Sequence, residues 1–381
     1  MNEGKEPQRH RTVFVVGRFP PPLDGQAIAT RRLAQLLEPH CVLRRIDLST
    51  GAAAQAESEV RFRAGRLSHY AGARRQIKSA LKSSPEATIL WTGISGSTLG
   101  HYRDVVVSLP AFRRCKRIHA VVHWGNFDDL FRDLKTRFTA RKMIDRLTTV
   151  VFLNELLRRR CEEFVPASKA RIIPNTIEES IQLSSDEVEE KQRIRRDRSV
   201  FRLFYIGSMT PSKGWADAVL AAEILHKKGH HVRLDLVGRW ESDQDKAAFT
   251  DQIVRGGLGS VVQHHGAISD RTLLKEMYAL SDAFLLPTYY PTEAQPLTII
   301  EALNAGTPVI ATPHAGIPEM ISDGQEGFLV DKHRPDSIVR AVERLLSYES
   351  WRQRSIAARK RFEAAFHPDR ITEKWLELVD Q

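Results

Sequence analysis

Residues 290–312 read Tyr290-Pro-Thr-Glu-Ala-Gln-Pro-Leu-Thr-Ile-Ile-Glu-Ala-Leu-Asn-Ala-Gly-Thr-Pro-Val-Ile-Ala-Thr312. The stretch has three parts. Its polar opening, with two prolines, is a loop. Leu297 to Ala305 carries apolar residues at helical spacing, and Pro308–Ala311 is a short apolar run of the kind found in a fully buried strand. Pro296 suits the start of the helix and Gly306 its C-cap. A loop, a helix and a wholly apolar strand form one step of an alternating α/β layout, in which helices cover both faces of a parallel sheet. Glu293 falls in the loop and Glu301 about one turn inside the helix, with seven residues between them.

The same alternation continues on either side. The strand Phe201–Ile206 ends at Gly207, a helix follows over Ala216–Lys227, and the strand His231–Val237 ends at Gly238. Val261–His264, Ala283–Leu286 and Gly327–Val330 are further strands; Arg271–Leu280 and Asp336–Tyr348 are helices. Towards the N-terminus the pattern breaks. Glu178 to Arg198 is charged and poor in apolar residues, which predicts an exposed linker carrying a surface helix. Before it stands another alternation: the strand Thr12–Val16 ending at Gly17, a Pro/Gly loop to Gln26, a helix with Ile28, Leu33, Leu36 and Leu37, and the strands Ala87–Trp91, Ile118–His123, Thr148–Leu153 and Ala170–Ile173. A chain of 381 residues holds two such domains. The expected fold is α/β, with two Rossmann-like parallel-sheet domains facing across a cleft. The first spans 1–190, the second spans 198–363, and a C-terminal helix lies within 364–381. In open α/β sheets, ligands bind at the carboxyl ends of the strands.

Composition narrows the class. Hydrophobic residues at 42% and charged residues at 27% are ordinary for a globular protein. Cys41, Cys115 and Cys161 form neither a disulfide framework nor a zinc ribbon, which points to a reducing compartment. Met1 to Arg11 is polar, and no apolar run approaches the length of a membrane span, so a cytoplasmic protein is expected. The net charge of +10 is uneven: residues 1–200 hold 36 Lys and Arg against 23 Asp and Glu. Arg113-Arg114-Cys115-Lys116-Arg117 and Arg158-Arg159-Arg160 are the densest basic clusters. A basic first domain suits an anionic membrane surface, hence a peripheral position on its inner face. A nucleic-acid partner is not expected, because neither aromatic interleaving nor a recognisable module accompanies the charge. The pairs His230-His231 and His264-His265 are adjacent rather than spaced as ligands, so no metal site is expected.

The chemistry follows from the helix after Glu293. Its N-terminus offers free N–H groups and the positive end of the dipole to a pyrophosphate. Carboxylates pair poorly with phosphate and well with hydroxyls. A ligand with both features is a nucleoside diphosphate sugar, acting as a co-substrate with no further cofactor.

The segment resembles the Glu-x7-Glu signature of the family 4 retaining glycosyltransferases, which have the GT-B fold; the resemblance implies that 1–190 binds the acceptor, that 198–363 binds the donor, and that the C-terminal helix within 364–381 packs back on the first domain. The resemblance implies that Glu293 contacts the donor sugar and Glu301 the ribose, while backbone at Gln295, Pro296 and Leu297 reaches sugar and phosphates. Ala294 stands where the family often has glycine. Gly207-Ser-Met-Thr-Pro-Ser-Lys-Gly214 resembles the family's glycine-to-Lys-Gly loop, whose basic pair clamps the diphosphate; Lys213 fills the second position and Ser208 stands where arginine is common. Pro20 to Gln26 resembles the first glycine loop, placing Gly25 against the diphosphate with Gln26 nearby. Val121-Val-His-Trp-Gly125 resembles the strand that sets a histidine, here His123, beside the reacting sugar. Ile172–Ile177, Pro313–Glu319 and Gly324–Phe328 match further landmarks, and the resemblance is densest over the last half of the chain. The implied activity is hexosyl transfer with retention from a nucleotide sugar to a saccharide or lipid-linked acceptor in surface polysaccharide or lipopolysaccharide synthesis. Front-face attack and a covalent sugar–carboxylate intermediate both stay open. So do two other functions for the same fold: an inactive binding protein, suggested by Ser208 and Ala294, and a nucleotide-sugar epimerase.

Overall fold

The computed structural model describes residues 11–21, 24–49 and 59–380, with backbone alone for 59–68. Met1–His10 and the Pro22-Leu23 part of the first loop therefore lie outside the described residues. The chain forms two compact units, Met1–Asn175 with Pro368–Gln381, and Thr176–His367.

The first unit is built on six parallel strands: β1 (Thr12–Gly17), β2 (Val42–Asp47), β3 (Thr88–Trp91), β4 (Arg117–Val122), β5 (Thr149–Phe152) and β6 (Ala170–Ile172), in the order β2-β1-β3-β4-β5-β6. β3 and β5 are buried along their whole length, as their unbroken apolar runs require of a sheet covered on both faces. β2, Val-Leu-Arg-Arg-Ile-Asp, is the exception and was not anticipated from sequence. It is an edge strand with only Ile46 fully buried, so its charged residues face water. The helix Gly25–Leu37 packs against the C-terminal helix Pro368–Asp380, whose Ile371, Trp375, Leu378 and Val379 form one buried stripe. Arg11 fastens the end of that helix by donating to the Val379 carbonyl at 2.6 Å and pairing with Asp380 at 3.0 Å.

The second unit holds β7 (Phe201–Ile206), β8 (Val232–Val237), β9 (Val262–His264), β10 (Ala283–Leu286), β11 (Val309–Ala311) and β12 (Gly327–Leu329), all parallel, in the order β12-β11-β10-β7-β8-β9. Counted from its own first strand, this is the 3-2-1-4-5-6 order of doubly wound dinucleotide folds. Its core runs from Ile177 to Phe366 and includes Phe204, Tyr278, Phe284 and Trp351.

The expected linker is a correction. Residues 185–197 form a helix of the second unit, opened by a capping box between Ser184 and Glu187. Val188, Lys191 and Arg195 are buried on it. The Lys191 ammonium donates to the carbonyls of Tyr278 at 2.9 Å and Ala305 at 3.0 Å, and to Thr307 Oγ1. Both carbonyls lie at helix C-termini, where unpaired acceptors and the negative dipole end favour a cation. Most charges of this stretch do face water, but Lys191 and Arg195 turn inward and fix the helix to the second unit. The division between units accordingly falls at Asn175/Thr176 rather than near 190, and the second unit ends at His367 rather than 363.

Candidate functional site

In the second sheet the strand order reverses between β7 and β10, and the loops leaving their carboxyl ends diverge there. These loops are residues 207–214 and 287–296. Gly214 joins them. It has φ +79°, and a Cβ on it would lie 2.2 Å from the Pro287 carbonyl oxygen, so only glycine permits this approach. The Tyr289 amide donates to the Ser212 carbonyl at 2.8 Å, and Thr312 Oγ1 donates to the Thr288 carbonyl. This stitching sets Lys213 against Glu293, Nζ to Oε2 at 2.6 Å, with both side chains largely buried. The ammonium also stands 4.5 Å from the centroid of the Tyr290 ring, and the Thr288 hydroxyl is 3.5 Å from the same Glu293 oxygen. Gly207 closes β7, its amide donating to the Val237 carbonyl at 3.0 Å. The half-buried Ser208 has its carbonyl bonded by the Tyr205 hydroxyl at 3.2 Å.

The loop then enters the helix Leu297–Asn304. Pro296 is its N-cap and no side chain caps its first turn. Ala294 and Gln295 are buried on the approach. At the other end the Gly306 amide donates to Leu303 and the Thr307 amide to Ala302, the double bond of a Schellman motif, with Gly306 at φ +58°. An uncapped helix N-terminus four residues after a buried carboxylate–ammonium pair is suited to an anion that draws on both.

Glu301 is placed differently from Glu293. It is 3% exposed, and its carboxylate accepts from Arg271 at 2.8 Å and from the Tyr278 hydroxyl at 2.9 Å; Arg271 also pairs with Glu178 at 2.9 Å. The structure thus brings Lys213 and Glu293 together and holds Glu301 in a separate ionic group. Thr288 and Tyr290 stand within or beside the quoted stretch, but no local sequence signal ties them to Lys213, which lies 77 residues before Tyr290. Arg271 and Tyr278 come from a preceding helix, and no local pattern links them to Glu301.

The other named residues belong to the first unit. Gly25 is the first residue of its helix; the cap is Asp24, which accepts from the Ala27 amide and pairs with Arg18 at 2.6 Å. A Cβ on Gly25 would meet nothing within 4 Å, so the fold itself does not demand glycine there. The Gln26 side-chain amide donates to the Thr92 carbonyl at 2.7 Å, tying the loop after β1 to the loop after β3. His123 directly follows β4. Its Nε2 is buried and has no hydrogen-bond partner among the described residues, and burial pushes its pKa down to about 4, leaving the ring neutral at neutral pH. The paired histidines are held structurally, His264 by the Gly238 carbonyl at 2.9 Å and His265 by Asp235 at 2.7 Å.

The family model for glycosyl transferases group 1 matches residues 186–362. That match covers a little under half of the chain. The segment contains the Lys213–Glu293 pair, the Leu297 helix and Glu301. A D-inositol 3-phosphate glycosyltransferase of Paenarthrobacter aurescens is 29% identical over 216 residues, covering 49% of this chain and 52% of that protein. A lipopolysaccharide 1,2-N-acetylglucosaminetransferase of Salmonella typhimurium is 25% identical over 256 residues, covering 60% and 63%. The alignments thus span about half to five-eighths of these relatives' own length. Among solved structures, HepE of Anabaena in complex with UDP and glucose has a TM-score of 0.70 at 15% identity, covering 97% of this chain and all of that one. Sucrose-phosphate synthase of Thermosynechococcus elongatus has a TM-score of 0.74 at 18% identity, covering 98% and 99%. The chain therefore has the GT-B fold.

Proposed function

We propose that the chain is a retaining hexosyltransferase of the cytoplasm. It would move a sugar from a nucleoside diphosphate donor to a saccharide or lipid-linked acceptor in cell-surface polysaccharide synthesis. The observation that carries this reading is the buried Lys213–Glu293 pair beside the uncapped Leu297 helix. Without donor the two charges neutralise each other. A diphosphate competes for the ammonium, and the helix N-terminus supplies further donors. That exchange releases the Glu293 carboxylate for a sugar hydroxyl, or for the positive charge that develops as the bond from anomeric carbon to diphosphate breaks. Stabilising the departing diphosphate is the main electrostatic task, and fixed donors do it best. Neutral His123 suits a hydrogen-bonding role towards sugar rather than a charged one. The relatives named above act on glycosyl groups by their names, and UDP is bound in the HepE complex, which supports a nucleotide-sugar donor.

Calorimetry with UDP- and GDP-sugars on the wild type, Lys213→Ala and Glu293→Gln tests the reading. Lys213→Ala should weaken donor binding roughly 10- to 100-fold, the worth of one charge-assisted hydrogen bond. Glu293→Gln should keep binding and lose turnover. An α-linked product from an α-linked donor, read by proton NMR, would establish retention. Failure of the folded wild type to bind any such donor would overturn the proposal.

A further inference from the structure

We propose that the outward face shared by the Thr98–Arg103 and Arg137–Arg146 helices is a docking surface for an anionic phospholipid bilayer. Residues 98–111 form one continuous helical run, α-helical at both ends and widened into a π turn over Asp104–Ser108. Its polarity is inverted. His101, Asp104 and Ser108, spaced three and four apart, face inward and are fully buried. Leu99, Tyr102 and Val106, at the same spacing on the other side, face outward, with Leu99 80% and Val106 59% exposed. Asp104 accepts from Arg103 and from the Ser95 amide, and His101 Nε2 meets Thr139 Oγ1 at 2.8 Å, while His101 Nδ1 has no hydrogen-bond partner among the described residues. Among the described residues, nothing covers Leu99 and Val106. A helix arranged this way suits surroundings that are less polar than water.

The second helix extends the same surface. Leu134, in the turn that leads into it, and Phe138, in its first turn, are 75% and 66% exposed. The two helices are joined by the His101–Thr139 contact and by the Tyr102 hydroxyl, which donates to the Lys135 carbonyl at 2.9 Å. Among the described residues, four of the five most exposed large hydrophobic side chains lie here; the fifth, Val254, belongs to the other unit.

Charge selects the occupant. Lys135, Arg137, Arg141 and Lys142 are exposed around Leu134 and Phe138, and Lys142 Nζ sits 4.3 Å from the Phe138 ring centroid. Residues 133–146 carry five basic and two acidic side chains. Lysine is depleted in the apolar centres of protein–protein interfaces, whereas apolar and aromatic side chains rimmed by Lys and Arg suit the boundary of headgroups and acyl chains. No helix among the described residues is long and apolar enough to cross a membrane, and the contact drawn here is lateral. The run begins just after the loop that follows β3. In that loop a Cβ on Gly96 would come within 2.8 Å of Trp124, the neighbour of His123. Docking would thus bring the carboxyl ends of β3 and β4 to the lipid surface, where a lipid-linked acceptor would be presented. That last link rests on the proposed transfer reaction; the docking does not.

The test is sedimentation of the full chain with vesicles of phosphatidylcholine alone and of phosphatidylcholine mixed with phosphatidylglycerol. The wild type should bind the mixed vesicles and lose binding as salt rises. The double variant Arg141→Glu/Lys142→Glu should bind about tenfold or more weakly. The double variant Leu134→Ser/Phe138→Ser should bind more weakly at every salt concentration. All four positions are exposed, and unchanged thermal melts would confirm intact folds. Absence of wild-type binding, or equal binding by wild type and both variants, would overturn the proposal. So would a self-associated chain that the Leu134→Ser/Phe138→Ser change makes monomeric, since the face would then be a protein interface. Soluble donor binding by these variants should match the wild type, which separates this test from that of the donor site.

Discussion

At the scale of single residues, the two glutamates of the Glu-x7-Glu spacing have different physical duties. Glu293 has one cationic partner, which a phosphate can draw away. Glu301 is bound by Arg271 and the Tyr278 hydroxyl, and Arg271 is shared with Glu178. Removing one member of such a buried set leaves its partners desolvated and unpaired, at a cost of about 3–5 kcal/mol. Glu301→Ala should therefore lower the urea midpoint strongly, whereas Glu293→Gln, which keeps an acceptor beside the single ammonium it faces, should lower it less; equal shifts would show that the two carboxylates are structurally alike. Gly214→Ala combines positive φ with a backbone clash and should cost at least about 2 kcal/mol while weakening donor binding through the displaced Lys213. Two histidines of the first unit respond to pH. Burial pushes His119 and His123 down to about 4, and neither His119 nitrogen has a hydrogen-bond partner among the described residues. Between about pH 4 and the ordinary histidine pKa of about 6.5, the unfolded chain binds more protons than the folded one, so stability is full above that range and falls as pH drops through it. His119→Leu should flatten this acid limb in denaturation measured from pH 7 to pH 4.

At the scale of elements, the Ser185–Asp197 helix shows where sequence patterns mislead. Alternation of apolar runs revealed most strands of both sheets, because a strand buried on both faces has little option but to be apolar. The Leu297 helix was equally legible, since its prolines and glycine mark its ends by local backbone chemistry. The surface helix at Ser185–Asp197 was legible too, but its docking into the second unit was not, because its buried face uses Lys191 and Arg195. A buried lysine looks like a solvated one until the carbonyls that receive it are known, and these come from residues 278 and 305. β2 escaped for the opposite reason: an edge strand can afford arginines, so it lacks the apolar run. The ionic group around Glu301 was illegible because it joins three separated segments. Lys191→Met should detach this helix, costing about 3–5 kcal/mol by leaving two helix-terminal carbonyls unpaired in the interior. Hydrogen exchange would show the loss of protection first in residues 185–197; protection lost evenly across the unit would instead mean that the helix and its core unfold as one.

At the scale of the whole molecule, the two units differ in what perturbs them. Residues 1–175 hold 31 Lys and Arg against 16 Asp and Glu, and this part of the chain also contains both acid-sensitive histidines and the proposed lipid-facing surface. The unit Thr176–His367 contains the lysine–glutamate pair and the helix N-terminus assigned to the donor. Each has its own six-stranded sheet, and multi-domain chains often depart from two-state unfolding. Calorimetry should therefore resolve two transitions that move independently. A donor nucleotide at a hundredfold excess over its Kd should stabilise the second unit by about 2.7 kcal/mol and leave the first in place. Acidification from pH 7 towards pH 5 should lower the first transition, and His119→Leu should reduce that shift. If nucleotide instead raised both transitions equally, the units would be energetically coupled, and donor binding would reach His123 through the fold. If it raised only the transition sensitive to His119→Leu, the diphosphate would bind at the Gly25 loop, and Lys213 with Glu293 would be a structural pair.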